Sequence, residues 1–437
     1  MLEKKPLGEM LIAAGVIKPQ DLQVALESQK QVPAPLGKTL VQLGIAEESE
    51  ILPILSRQLN VANAAICPLG QEEATSVSDA LDRLFQQASE TDATDVHFEP
   101  AQDGVKVRVR IDGILRELDT AQILRRQYPA AVSRIKIIGG LDITEKRMPQ
   151  EGRTTLRLPD RTMDLRISVL PSRFGESVVI RILHSGDPRG LSVLGMEPAM
   201  QVGFERLLQH RSGLILVTGP TGCGKTTTLY AAMEYLNDDR KKMVTVEDPI
   251  EYSLAGATQM QVAPQIGLTF GRLLRTVLRH DPNVVMVGEI RDMETTEVAI
   301  RTALTGHLVL STLHTNDAAS TIIRLLEMGV EPYLVSSSLS CVIAQRLVRK
   351  ICSKCEGKRC PSCLGEGLKG RTGIFEFLVM DEHLRAMVLH HASVDEIRRY
   401  AMSRGMKTLY EDGMRKVQAG VTTVKELNRV IHHEENA

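Results

Sequence analysis

The chain has 437 residues, enough for about two to four domains at roughly 100–200 residues each. Apolar residues make up 43% and charged residues 24%, ordinary usage for a packed chain, which excludes a disordered or fibrous one. Lys and Arg total 53 against 54 Asp and Glu, and Trp is absent, so neither a generally basic surface for nucleic acid nor a base-stacking platform is expected.

No stretch reaches the roughly 18 consecutive apolar residues of a membrane-spanning helix. Met1-Leu2-Glu3-Lys4-Lys5-Pro6 has no apolar signal core. A cytosolic chain with only peripheral membrane contact is therefore expected. A repeat at a fixed offset of 29 residues opens the chain: Leu7, Gly8, Leu11, Gly15, Val16, Leu22, Leu26 and Gln29 recur as Leu36, Gly37, Leu40, Gly44, Ile45, Ile51, Leu55 and Gln58. The apolar members fall near helical spacing, and Gly15 and Gly44 each sit where a first helix would stop. Two copies of a helix-turn-helix unit are predicted over residues 1–62, packed together because neither is long enough to bury its own face.

Residues 63–74 read as a linker. The spacing of Ala80, Leu81, Leu84, Phe85 and Ala88 predicts an amphipathic helix over 78–89, and Val105 to Ile111 alternates with period two, with Lys106, Arg108 and Arg110 on its basic face. Strands at 153–158, 163–170 and 178–183 complete a mixed α+β domain over 75–185. After a second linker at 186–190, apolar runs at 214–218, 243–246, 284–287 and 308–313 alternate with helical segments. Unalternating apolar strands predict a parallel sheet covered on both faces, with ligands at the edge where strands run into polar loops. An α/β core is expected over 191–345, a tetracysteine element over 346–372, and a helical region without strands beyond Phe377 over 373–437.

Gly219-Pro220-Thr221-Gly222-Cys223-Gly224-Lys225-Thr226 matches the phosphate-loop pattern GxxxxGK[ST], and lies between strand 214–218 and helix-forming residues 227–236. This order places backbone N–H groups and a helix N-terminus around phosphate oxygens. Lys225 would meet the β and γ phosphates and Thr226 would ligate Mg²⁺, with Thr227 beginning the helix. Cys223 reads as a small filler; a redox switch there would need a lowered thiol pKa. Glu289 follows strand 284–287 and is the candidate to polarise the attacking water, although a Glu at a helix start also complements the helix dipole. Glu247, Asp248 and Glu251 close strand 243–246, which Pro249 ends, and are expected at the sheet edge near the phosphates, in contact with Mg²⁺ or the water. His307 and His314 flank strand 308–313 and read either as γ-phosphate sensors or as structural histidines.

These groups in this order resemble the secretion and pilus ATPases, the GspE/PilB-type traffic ATPases of type II secretion and type IV pilus assembly. The phosphate loop, Glu247-Asp248-Pro249-Ile250-Glu251, Gly288-Glu289-Ile290-Arg291-Asp292 and the His307 to His314 box match that family's motifs. Thr94 to Pro100, Val107 to Gly113 and Arg147 to Arg153 look like its domain preceding the core. The resemblance implies a hexameric ring of RecA-like domains that bind ATP and Mg²⁺ with help from a PAS-like upstream domain. It implies a membrane platform protein as partner, pilin-like filament assembly as output, and a site at the cytoplasmic face of the inner membrane. Basic side chains of the upstream domain would reach the phosphates, with Arg110, Arg147 and Arg153 as candidates; a solvated strand face fits Arg108 and Arg110 equally well.

Cys352, Cys355, Cys360 and Cys363 form two CxxC knuckles, the ligand set of a structural Zn²⁺ site, and match the family's tetracysteine element with a short four-residue spacer. The related retraction ATPases lack this element, so assembly or secretion is expected. From Gln345 to Thr372 eight Lys/Arg stand against two Glu, a basic segment that reads either as a surface for an acidic partner or anionic lipid headgroups or as a solubilising surface. The opening repeat resembles a domain that binds cyclic di-GMP in some of these ATPases. Pro6 and Pro35 stand where that pattern often has Arg, which removes a bidentate contact, and docking of a membrane-anchored partner is the other reading. Two competing functions are a DNA-moving RecA-like ATPase of conjugation or competence, disfavoured by the neutral charge, and a nucleotide-binding regulator without turnover, disfavoured by Lys225, Thr226 and Glu289.

Overall fold

The computed structural model describes residues 7–31, 36–46, 50–51, 76–118, 122–158, 162–183 and 190–431. The linker at 63–74, most of that at 186–190, and Pro6, Pro35, Leu55, Gln58 and Cys67 lie outside the described residues. The chain divides into two units, 1–185 and 186–437.

In the first unit the repeat becomes repeated geometry. Helices α1 (Leu7–Ala13), α2 (Pro19–Gln31) and α3 (Leu36–Gln42) surround a small core of Leu11, Ile17, Ala25, Leu40, Ala46 and Ile51. Gly15 and Gly44 adopt φ of +74° and +66°. Each copy ends its first helix on the same two bonds: Val16 N–H to Leu11 O with Gly15 N–H to Ile12 O, and Ile45 N–H to Leu40 O with Gly44 N–H to Val41 O. This is the Schellman ending, which needs a left-handed residue and therefore favours glycine.

The remainder of that unit is a six-stranded antiparallel sheet. Its order is β3 (Ile114–Glu117), β2 (Gly104–Ile111), β1 (Asp95–Ala101), β6 (Gly175–Leu183), β5 (Thr162–Ser172) and β4 (Gln150–Arg157). Helices α4 (Val77–Glu90), α5 (Gln122–Arg126) and α6 (Tyr128–Ile138) contribute Leu81, Leu84, Phe85, Leu124, Val132 and Ile135 to one core with Val96, Phe98, Val107, Val109, Ile167 and Ile180. The basic face of β2 is neutralised across strands: Lys106 pairs with Glu117 at 3.0 Å, Arg108 with Glu99, and Arg110 with Asp95 at 3.6 Å.

The second unit is built on a seven-stranded sheet. Its order is β13 (Leu368–Val379), β12 (Leu339–Ile351), β7 (Gly213–Thr218), β11 (Leu308–Leu313), β10 (Val284–Val287), β8 (Met243–Glu247) and β9 (Ala257–Gln261). Neighbours from β12 to β9 run parallel, and only β13 is antiparallel to its partner. Helices α7 (Pro198–Leu208), α8 (Lys225–Leu236), α9 (Phe270–Val277), α10 (Met293–Leu304), α11 (Ala318–Glu327), α12 (Pro332–Ser338), α13 (Glu382–Leu389), α14 (Val394–Ser403), α15 (Leu409–Gln418) and α16 (Val424–Ile431) complete it. Alternate strand residues enter two different cores, Leu214, Leu216, Val285 and Val309 in one, Ile215, Val217, Met286 and Leu310 in the other. Both faces of the sheet are therefore covered, which is why these strands show no polar alternation.

The expected boundaries at 345/346 and 372/373 fall inside β12 and β13, so the cysteine segment is the tip of a hairpin within the sheet rather than an element beyond it. β12 hides in the sequence because Gln345, Arg346 and Arg349 interrupt its apolar run; all three are buried. Two of the eight cations of the basic segment are thus inside the molecule. Among the described residues no helix is long and apolar enough to cross a membrane.

Arg349 ties the last helix to the sheet. Its Nη2 meets Glu426 Oε2 at 2.8 Å, and its backbone N–H donates to Glu426 Oε1 at 3.2 Å. Burial opposes ionisation of Glu426, but Arg429 and Arg349 outweigh it and hold the carboxyl down at about 2. The folded pKa lies below the ordinary 4.5, so this stabilisation is complete above that pH and lost as pH falls towards about 2. Glu426→Ala should cost about 3–5 kcal/mol, because it strips a buried guanidinium of its main partner. In urea unfolding, Glu426→Gln should flatten the decline in stability between pH 4.5 and about 2; an unchanged acid profile would contradict this.

Candidate functional site

Strand β7 is fully buried and ends at Thr218; the phosphate loop follows, and α8 starts at Lys225. Gly224 caps the helix with φ of +88°. The Lys225 side chain is folded back onto its own loop, with Nζ donating to Gly219 O at 2.7 Å and Pro220 O at 3.1 Å. Burial lowers the pKa of this ammonium. Thr221, Gly222, Thr226 and Thr227 are exposed around it. Cys223 is buried, and that burial pushes its thiol pKa up, so the filler reading fits and the thiolate needed for a redox switch is disfavoured.

Parallel pairing of β7, β11 and β10 brings their carboxyl ends to one edge, so the loops after Thr218, Leu313 and Val287 meet. His314 Nδ1 stands 3.5 Å from Lys225 Nζ, and His314 Nε2 stands 3.4 Å from Glu289 Oε2. Arg291 Nη2 pairs with Glu289 Oε1 at 2.6 Å, and its Nη1 lies 4.0 Å from Asp248 Oδ2. Lys225, His314, Glu289, Arg291 and Asp248 thus form one continuous polar chain along the sheet edge.

Two expected members are elsewhere. His307 precedes β11, with Nδ1 3.0 Å from Thr302 O. It is separated from His314 by a six-residue strand, about 20 Å at 3.3 Å per residue. A strand's two ends lie at opposite edges of the sheet, so flanking histidines cannot share one site. Glu247 is the last residue of β8 and is 3% exposed. Its carboxylate accepts from the Tyr230 hydroxyl, from Thr245 Oγ at 2.5 Å and from Gln259 Nε2 at 3.0 Å. That network points into the core between α8 and β9, not towards the phosphate loop. Glu251 is half-buried, with its backbone N–H 3.4 Å from the same Tyr230 hydroxyl.

Arg110, Arg147 and Arg153 belong to the first unit. Arg110 Nη1 donates to Gly113 O at 3.1 Å beside its Asp95 pairing. Arg147 is held by Glu145 at 2.9 Å while its side chain stays 88% exposed. Arg153 is exposed on β4.

Sequence reasoning missed Gln345 and Arg346. Gln345 Nε2 donates to Cys223 O at 2.9 Å, and Arg346 Nη2 donates to Asn316 O at 2.8 Å. Thr315 N–H donates to Thr218 Oγ at 2.9 Å, so the loop after His314 and the phosphate loop are tied together from below. The available signal was a Gln-Arg pair in the middle of an apolar run.

At the hairpin tip the sulfurs of Cys352, Cys355, Cys360 and Cys363 all lie within 4.8 Å of one another. Three of the separations are 3.9, 3.8 and 3.7 Å. Sulfurs about 2.3 Å from a tetrahedral ion stand about 3.8 Å apart, so the donor set fits such an ion. Burial disfavours the Cys363 thiolate, but the amides of Cys360 and Gly367, each 3.2 Å from its sulfur, prevail and hold the thiol down at about 6.

Residues 70–429 match the family model described as type II/IV secretion system protein. The chain is 44% identical over 371 residues to the type II secretion system protein HxcR of Pseudomonas aeruginosa, covering 83% of this chain and 79% of that one. It is 41% identical over 412 residues to the type IV pilus assembly ATPase PilB of Thermus thermophilus, covering 88% of this chain and 46% of the relative, so it spans about half of that protein's length. Among solved structures, the ATPase DotB of Legionella pneumophila superposes with a TM-score of 0.67 at 22% identity, over 84% of this chain and 99% of the other, a likeness of fold.

The buried Cys223 thiol gives a direct check on this geometry. Native protein treated with iodoacetamide at neutral pH should leave Cys223 unmodified by peptide mass spectrometry until denaturant is added. Rapid native labelling there would contradict the loop packing.

Proposed function

The chain belongs to the family of type II/IV secretion system proteins, and from that premise we propose how its sheet edge performs the work. It is an ATPase of the GspE/PilB type, coupling ATP hydrolysis to type II secretion or type IV pilus assembly. The observation that carries the site assignment is the convergence of Lys225, His314 and Glu289 from three strand ends.

In this reading the loop from Gly219 to Thr227 binds the phosphates through its backbone N–H groups, and Lys225 exchanges the carbonyls of Gly219 and Pro220 for phosphate oxygens. Thr226 and, from the next loops, Asp248 and Glu251 would hold Mg²⁺ or its water shell; the ion would supply charge neutralisation at the β and γ phosphates. Glu289 orients a water and draws its proton as the water oxygen attacks the γ-phosphorus and the bond to ADP breaks. His314 lies between Lys225 and Glu289, where it can report the γ-phosphate to both. Glu247 anchors the strand, and His307 has a structural task at the far edge. Arg110, Arg147 and Arg153, in a PAS-like domain over 75–185, are proposed to reach the phosphates within a hexameric ring. The repeat module over 1–62 is proposed to dock a membrane-anchored partner, which would hold the ring at the cytoplasmic face of the inner membrane beside its platform protein. The four cysteines would hold Zn²⁺ in a closed, structural site.

Glu289→Gln should lower kcat by about 10²–10⁴-fold while ATP affinity stays near that of the unaltered chain; full turnover in the variant would reject Glu289 as the water-orienting group. Elemental analysis should find one zinc per chain. Cys360→Ser should lose that metal and melt at lower temperature, whereas metal-free protein with unaltered melting would reject the structural zinc.

A further inference from the structure

Gln345 follows Ala344, the register partner of Thr218 on β7, and so stands beside the point where that strand turns into the phosphate loop. The residue is 2% exposed. Both ends of its amide are bonded, Nε2 to Cys223 O at 2.9 Å and Oε1 to Thr228 Oγ at 2.6 Å. A carbonyl oxygen can only accept, so the amide has a single orientation here. The loop is shaped around it: a Cβ on Gly224 would stand 2.9 Å from Gln345 Nε2, and one on Gly219 would stand 2.5 Å from Gln345 O. Those two glycines therefore admit Gln345 as well as a ligand.

We propose that Gln345 is a positioning residue of the nucleotide site, which holds the Cys223 carbonyl inward and thereby aims the Gly224 N–H at the phosphates. The peptide between Cys223 and Gly224 is planar and trans, so its C=O and N–H point in opposite directions. An oxygen anchored in the core forces the N–H outward, where loop donors meet phosphate oxygens. Thr228, in the first turn of α8, acts one step further back. Its hydroxyl proton goes to Oε1 and keeps the amide from rotating. Arg346 Nη1, donating to Gln345 O at 2.9 Å, fixes the backbone from which the amide reaches. Without the amide the peptide plane is free to turn, and the loop then presents an oxygen where it had presented a proton.

This inference rests on the ATPase reading of the same site, and the test separates the two. Gln345→Met keeps the buried volume and removes both amide bonds; Thr228→Val removes the lock, and with it that hydroxyl's longer contact to Gly224 O at 3.3 Å. In the full chain with Mg²⁺ and ATP, Gln345→Met should raise KM, and the Kd of a fluorescent ATP analogue, by about tenfold or more, the effect of one hydrogen bond to a charged group. The contact is made in ground and transition states alike, so kcat should change far less. Thr228→Val should move KM in the same direction by less. The double variant should be no worse than Gln345→Met, since both act through one amide. A merely structural role would lower the melting temperature and leave the ratio of KM to kcat alone. Unaltered KM and Kd in Gln345→Met would overturn the inference while the ATPase reading stands. If that variant does not fold, unaltered KM in Thr228→Val overturns it instead. Absence of nucleotide binding by the unaltered chain would overturn both readings.

Discussion

The parallel alignment of β7, β11, β10 and β8 is the constraint from which the site follows. In such a stack every strand delivers its carboxyl end to the same edge, so the phosphate loop, His314, Glu289 and Asp248 meet although they are far apart in the chain. The alignment is held by apolar side chains entering cores on both faces, each worth roughly 1.5–3 kcal/mol when fully buried. His307 shows the same rule from the other side: it precedes β11 instead of following it, and the strand's own length carries it away.

At that edge the charges are satisfied internally. Lys225 rests on loop carbonyls, and Glu289 rests between Arg291 and His314. Each of these contacts can be exchanged for a contact to phosphate, metal or water without leaving a buried charge unpaired, which would be far more costly than the exchange. The groups beneath the edge are of a different kind. Glu247, Gln345, Arg346 and Thr218 are buried and bonded to backbone or neighbouring side chains, and they hold the strands and loops beneath that edge.

How much of this was legible in the sequence depended on how each residue's polar atoms are satisfied. Strands 214–218, 243–246, 284–287 and 308–313 could be read because both faces are buried and no charged residue breaks the run. The phosphate loop and the four cysteines could be read because their spacing is set by local turns. β12 could not, since Gln345, Arg346 and Arg349 count as surface residues until their tertiary partners are known. β1 was hidden by His97, Glu99 and Pro100, and the strand end marked by Pro249 does not distinguish Glu247, which is buried, from Asp248, which lies beside Arg291. One residue of register turns a carboxylate from the edge into the core, and a motif does not record which way each member points.

Lys225, His314 and Glu289 are proposed to receive the γ-phosphate together at this edge. A structure of the chain with Mg²⁺ and a non-hydrolysable ATP analogue tests that most directly. In that structure the Lys225 ammonium should have moved from Gly219 O and Pro220 O onto phosphate oxygens, with Glu289 and His314 facing the γ-phosphate. A bound nucleotide that leaves Lys225 on its loop carbonyls and Glu289 on Arg291 would contradict it.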